Sequence, residues 1–166
     1  MRLAITDLFW ARWTDQIHEE WMRNVWKDYG IERGKLEKIK ALMDKNVRGS
    51  KVAGYEHLID GLSLPDEDDR HVLAAAIHSK SDAIVTRNLK DFPKSELDKY
   101  NIEAIHPDEF IFYQFDFNAG AVINAFREQR LSLKNPSYNQ DEFLDRLSAQ
   151  ELPQTVSELR EYIDSI

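Results

Sequence analysis

The chain has 166 residues, 42% of them hydrophobic and 31% charged, and no cysteine, which fits one globular domain with an appendage and excludes a disulfide-stapled secreted scaffold. No apolar run approaches the ~18 residues that a bilayer-crossing helix needs, and no basic stretch leads into an apolar one at the start, so no membrane is expected and the cytoplasm is the expected location. The formal net charge of -8 argues against holding nucleic acid by bulk electrostatics, yet residues 23–51 carry nine Lys/Arg against four acids while residues 140–166 carry seven acids against two Arg. One end could face RNA while the other repels it, or both could be solvated helix faces.

In chain order, a helix end at residues 3–7 and a short apolar segment at 8–13 lead into a helix that Thr14 caps and Gly30 stops. Ile17, Trp21 and Val25 form its apolar stripe, and Glu20 lies beside that stripe, not opposite it. Leu36, Ile39, Leu42, Met43 and Val47 predict a second amphipathic helix, ended by Gly49-Ser50. Residues 51–65 read as irregular. A helix over 66–79, entered after Pro65, is apolar on most sides, and AIVT at 83–86 predicts a strand buried on both faces. A short helix in SELDKY, a strand in IEAIH and a helix begun by Pro107 continue the alternation, which predicts an α/β fold around a parallel sheet. Asn118-Ala119-Gly120 interrupts it. The expected domains are therefore residues 1–117 and a helical C-terminal extension, 118–166. Trp10, Trp13, Trp21 and Trp26, with Phe110, Phe112, Tyr113, Phe115 and Phe117, are expected to pack in cores or interfaces.

The chemistry concentrates in residues 64–92, LPDEDDRHVLAAAIHSKSDAIVTRNLKDF. Local capping accounts for some of its acids: Asp66 as N-cap, Asp69 reaching back, and Glu67 and Asp68 complementing the helix dipole. Capping needs only one or two, however, and four like charges within one turn repel one another unless a cation sits among them. In a parallel α/β sheet ligands gather at the carboxyl ends of strands, and the end of AIVT delivers Thr86, Asn88 and Asp91 there. Hydroxyl, amide and carboxylate oxygens suit Mg²⁺ or Mn²⁺. Asp69 and Glu20 could converge on the same place. Such a cluster suits a metal-dependent nuclease, in which a divalent ion activates water and neutralises a phosphodiester.

LPDEDDRHVLAAAI, SDAIVTRNLKDF and IEAIHPDEF, with ARWTDQIHEEW upstream, together resemble the PIN-domain ribonucleases, in particular the VapC-like toxins of bacterial type II toxin-antitoxin systems. The resemblance spans roughly residues 3–110. It implies a PIN-like three-layer sandwich around a parallel sheet, cleavage of single-stranded RNA with Mg²⁺ or Mn²⁺, and an antitoxin that covers the acidic site. It assigns the site to Glu20, Asp69, Asn88 and Asp91, with Thr86 beside them and Asp66 as a further metal ligand; Arg70 or Arg87 could contact phosphate.

The PIN pattern opens with a strand ending in an aspartate, followed by a helix, and this chain is expected to lack both. Three arrangements could close the resulting gap in the sheet. A short complementing peptide could supply the strand and aspartate, two copies could rearrange as a homodimer, or the chain could be a catalytically inactive PIN-like module that binds RNA or a protein partner.

Overall fold

The computed structural model of the chain describes residues 2–166, which divide into two compact units: Trp10–Ala104, and Ile105–Ile166 with the segment ending at Phe9. The fold is mostly helical, with one small parallel sheet and a set of C-terminal helices, a reduced α/β arrangement. Among the described residues no helix is long and apolar enough to cross a membrane.

The first unit begins with α1 (Asp15–Tyr29) and α2 (Arg33–Asn46). The Thr14 hydroxyl accepts from the Ile17 amide at 3.0 Å, and Gly30 ends α1 in the left-handed region with φ 64°. Lys40 and Lys51, each 2.8 Å from Asp15, hold that carboxyl at about 2. Between the two helices lies a half-buried polar knot. Asp44 Oδ1 accepts from Trp13 Nε1 at 2.7 Å and from His18 Nε2 at 3.0 Å, while Trp21 Nε1 donates to His18 Nδ1 at 2.8 Å. The Trp21 donor fixes the His18 tautomer with its hydrogen on Nε2, facing Asp44. Burial would raise the Asp44 pKa, but these two donors hold it below the usual carboxylate value. Asp44→Ala should therefore destabilise the unit by about 2–4 kcal/mol, because two donors lose their acceptor, whereas Asp44→Asn keeps an acceptor and should cost less than half of that. Urea unfolding followed by tryptophan fluorescence separates the two variants, since all four Trp lie in this unit.

Further along, a 3-10 turn at Glu67–Asp69 precedes α3 (Arg70–Ser79), so the helix expected from residue 66 starts four residues later. The Asp66 side chain accepts from the Asp68 amide at 2.9 Å, a tight turn that uses Asp66 and leaves the acids outside the α-helix. Strands β1 (Ala83–Val85) and β2 (Glu103–Ile105) flank α4 (Lys94–Leu97), and the Glu103 amide donates to the Asp82 carbonyl at 3.0 Å. Val52, Tyr55, Leu73, Ile84 and Phe92 form the core beneath them. One expectation fails here: β1 is not buried on both faces, since Val85 is 45% exposed. Among the described residues the strand has a neighbour on one side only. A second, separate piece of parallel pairing joins Trp13 and Lys51, with the Trp13 amide donating to Ser50 and the Val52 amide to Trp13, both at 2.8 Å. The aromatic expectation is likewise only partly met: Trp13 and Phe115 are buried, but Trp10, Trp26, Tyr113 and Phe117 are exposed.

The second unit contains α5 (Pro107–Ser132), α6 (Gln140–Ser148) and α7 (Pro153–Arg160), around a core that includes Val122, Leu144 and Leu159. α5 runs through residue 117 with a kink at Asn118, where the sequence is expected to pass from domain to extension. Asn118 leaves the helical conformation, and its Oδ1 accepts from the Ala121 amide at 3.0 Å, restarting the helix it interrupts. Asp108 is buried at the start of α5, where its two carboxylate oxygens accept from the amides of Gln154 (2.9 Å) and Thr155 (2.8 Å) at the start of α7.

Candidate metal centre

Three carboxylates come together in the first unit. Asp66 is exposed, Asp69 half-buried and Asp91 buried, and one oxygen of each lies within 4.8 Å of the others. Two local structures bring them there. The turn before α3 carries Asp66 and Asp69, and the 3-10 turn Leu89–Asp91, just beyond the end of β1, carries Asp91. The Asp69 side chain makes no capping bond to the helix it precedes, so helix capping accounts for Asp66 and not for Asp69.

The strand-end residues brace Asp91. The Asn88 side-chain amide donates to Asp91 Oδ2, and the Thr86 hydroxyl accepts from the Asn88 backbone amide at 3.1 Å. Thr86 thus shapes the turn, Asn88 orients the acid, and the acid points at the other two. Glu20 lies outside the three-acid group, with Oε1 2.8 Å from His71 Nε2, yet its charge reaches Asp69. Arg70 pairs locally with Glu67, at 3.0 Å from its carboxylate and 3.1 Å from its carbonyl.

The donor set fits a divalent cation. Burial, followed by the charges of Asp66, Asp91 and Glu20, raises the Asp69 pKa, with His71 acting in the opposite sense. The acids are therefore gathered at an electrostatic cost, which a cation among them would offset. Three hard oxygen donors match the preference of Mg²⁺ or Mn²⁺. His71 is the residue that sequence reasoning missed. Its signal is a polar side chain two positions after Asp69, at the start of a helix whose residues 72–77 are all alanine or aliphatic.

Comparison with known proteins points the same way. A family model described as the VapC50 C-terminal domain matches residues 107–161, which fall within the second compact unit. Over 112 residues the chain is 36% identical to "Putative ribonuclease VapC50" of Mycobacterium tuberculosis (strain ATCC 25618 / H37Rv), a match covering 68% of this chain and 65% of that protein. The chain is thus homologous to VapC50 at moderate identity over part of its length, and spans just under two thirds of that relative. No solved structure matches it.

Proposed function

We propose that the chain is the large part of a PIN-like, metal-dependent endoribonuclease, the toxin of a type II toxin-antitoxin pair, whose sheet and site are completed by an extended segment carrying a further aspartate. The observation that carries this reading is the convergence of Asp66, Asp69 and Asp91 with a raised pKa at Asp69. The similarity to VapC50 supports the ribonuclease and toxin assignment.

When bound, Mg²⁺ or Mn²⁺ supplies activation of water and neutralisation of phosphodiester charge. The residues that would hold it are Asp66, Asp69 and Asp91, with Glu20 as a further acid. Asn88 fixes the Asp91 carboxylate, and Thr86 fixes Asn88. Single-stranded RNA, the proposed substrate, would reach the acids from the side on which Asp66 is exposed. An antitoxin that covered this site would do so with Arg or Lys among the acids.

The case for a completing segment comes from the strands. The β1–β2 pair and the Trp13–Lys51 bridge are separate pieces of parallel pairing, with outer edges left unpaired among the described residues. An extended peptide laid between them would join them into one sheet, the centre of the proposed PIN sandwich. The domain division proposed with it is a PIN-like body through residue 117, followed by the helical extension.

The test is RNA cleavage with Mn²⁺ or Mg²⁺ by the purified chain, alone and with a synthetic peptide encoded upstream that carries a strand ending in Asp. Cleavage that requires the peptide and is lost in Asp69→Asn is the expected result. Cleavage by the chain alone, at a rate the peptide leaves unchanged, would favour a rearranged homodimer. No cleavage under either condition by a folded chain, with no divalent-induced rise in melting temperature, would leave an inactive PIN-like module that binds RNA or a protein.

A further inference from the structure

We infer that His71 is a positioning residue, which holds the Glu20 carboxylate at the edge of the Asp66–Asp69–Asp91 group so that Glu20 serves as its fourth acid; this rests on the metal-site reading above. Glu20 and His71 are 51 residues apart, on α1 and α3, yet Glu20 Oε1 lies 2.8 Å from His71 Nε2. The imidazole is 1% exposed and the glutamate side chain 32% exposed, so a rigid buried donor grips a flexible and partly solvated acceptor. A glutamate on a helix surface ordinarily samples many rotamers, and this bond removes that freedom before any ligand arrives.

The hydrogen placement follows from the partners. An ionised carboxylate only accepts, so His71 Nε2 carries the hydrogen. His71 Nδ1 is buried and has no hydrogen-bond partner among the described residues, so Nε2 is the ring atom that is engaged. The ring therefore directs its Nε2–H at Glu20. The same helix carries Asp69 immediately before its first residue, so one rigid element sets both the Asp69 carboxylate and the donor that aims Glu20. Charge agrees with this placement, since Glu20 is among the groups that raise Asp69.

A merely structural tie between α1 and α3 would have the same bond, and metal affinity distinguishes the two. Mn²⁺ binding to the full chain, followed by electron paramagnetic resonance of the free ion, should weaken about 10–100-fold in His71→Leu, the range usual when an orienting partner of a ligand is removed. His71→Gln, whose side-chain amide can donate to the same carboxylate, should recover most of that loss. Glu20→Gln should weaken binding to a similar degree, and adding His71→Gln to it should cause no further loss. Should His71→Leu fail to fold, His71→Asn, whose shorter amide does not reach the Glu20 carboxylate, takes its place and should show the same weakening; a folded His71→Leu or His71→Asn that binds Mn²⁺ as wild type does overturns the inference. The inference is overturned if wild type binds Mn²⁺ and Asp69→Asn does not, while Glu20→Gln binds as wild type does. The metal-site reading itself falls if wild type shows no saturable binding, and the inference falls with it.

Discussion

Asp69→Asn should reduce RNA cleavage by the completed protein roughly 10²–10³-fold and abolish the rise in melting temperature that Mn²⁺ produces. The size follows from removing a ligand: metal stabilisation of a developing charge is worth several kcal/mol, and each ~1.4 kcal/mol is a factor of ten in rate. The same substitution should make the metal-free chain more stable at neutral pH. Burial and the charges of Asp66, Asp91 and Glu20 raise the Asp69 pKa above its unfolded value near 3.8. A group raised in this way favours the folded state below its unfolded pKa and loses that contribution as pH rises through the folded value, so the ionised carboxylate opposes folding at pH 7. Asparagine carries no such charge. Thermal melting at pH 7 with and without Mn²⁺ reads both effects, and a variant that melted lower than wild type without metal would indicate that Asp69 has a purely structural partner.

Asp108→Ala should destabilise the second unit by about 2–4 kcal/mol, the combined effect of an uncapped α7 and two amides that lose their acceptor. Burial would raise the Asp108 pKa, but the Thr155 and Gln154 amides reverse this and hold it below 3.8. The sign is then opposite to that at Asp69: the contribution is present above about pH 4 and disappears as pH falls through the depressed folded value. Wild type should therefore lose stability below pH 4 more steeply than Asp108→Asn, which cannot ionise. Hydrogen exchange of the α5 and α7 amides localises the effect, and equal acid sensitivity in the two proteins would contradict it.

What could be read from the sequence was mostly what is settled within one turn. Thr14 and Gly30 bound α1 because a cap and a left-handed stop are local matters, and Pro107 opens α5 for the same reason. Asp66, Asp69 and Asp91 could be grouped because a short turn carries two of them and the residues just past β1 carry the third. The expectation failed where distant partners decide. Asp44 meets His18 and Trp13 across 26 and 31 residues, Asp108 meets the start of α7 across 46, and Glu20 meets His71 across 51. The period of an apolar strand says which residues suit burial, but not whether a neighbouring strand covers them, and so Val85 was expected inside and lies 45% exposed. Asn118-Ala119-Gly120 is expected to interrupt the helix-strand alternation, and Asn118 does kink α5, but its side chain then caps the continuation of the same helix.

The central claim is that Asp66, Asp69 and Asp91 form one divalent-cation site. Calorimetric titration of Mn²⁺ into the full chain and into Asp91→Asn tests it most directly. Saturable binding to wild type, lost in Asp91→Asn while the variant's unfolding remains cooperative, is the expected result. Heats that do not saturate, or isotherms that coincide for the two proteins, would contradict it.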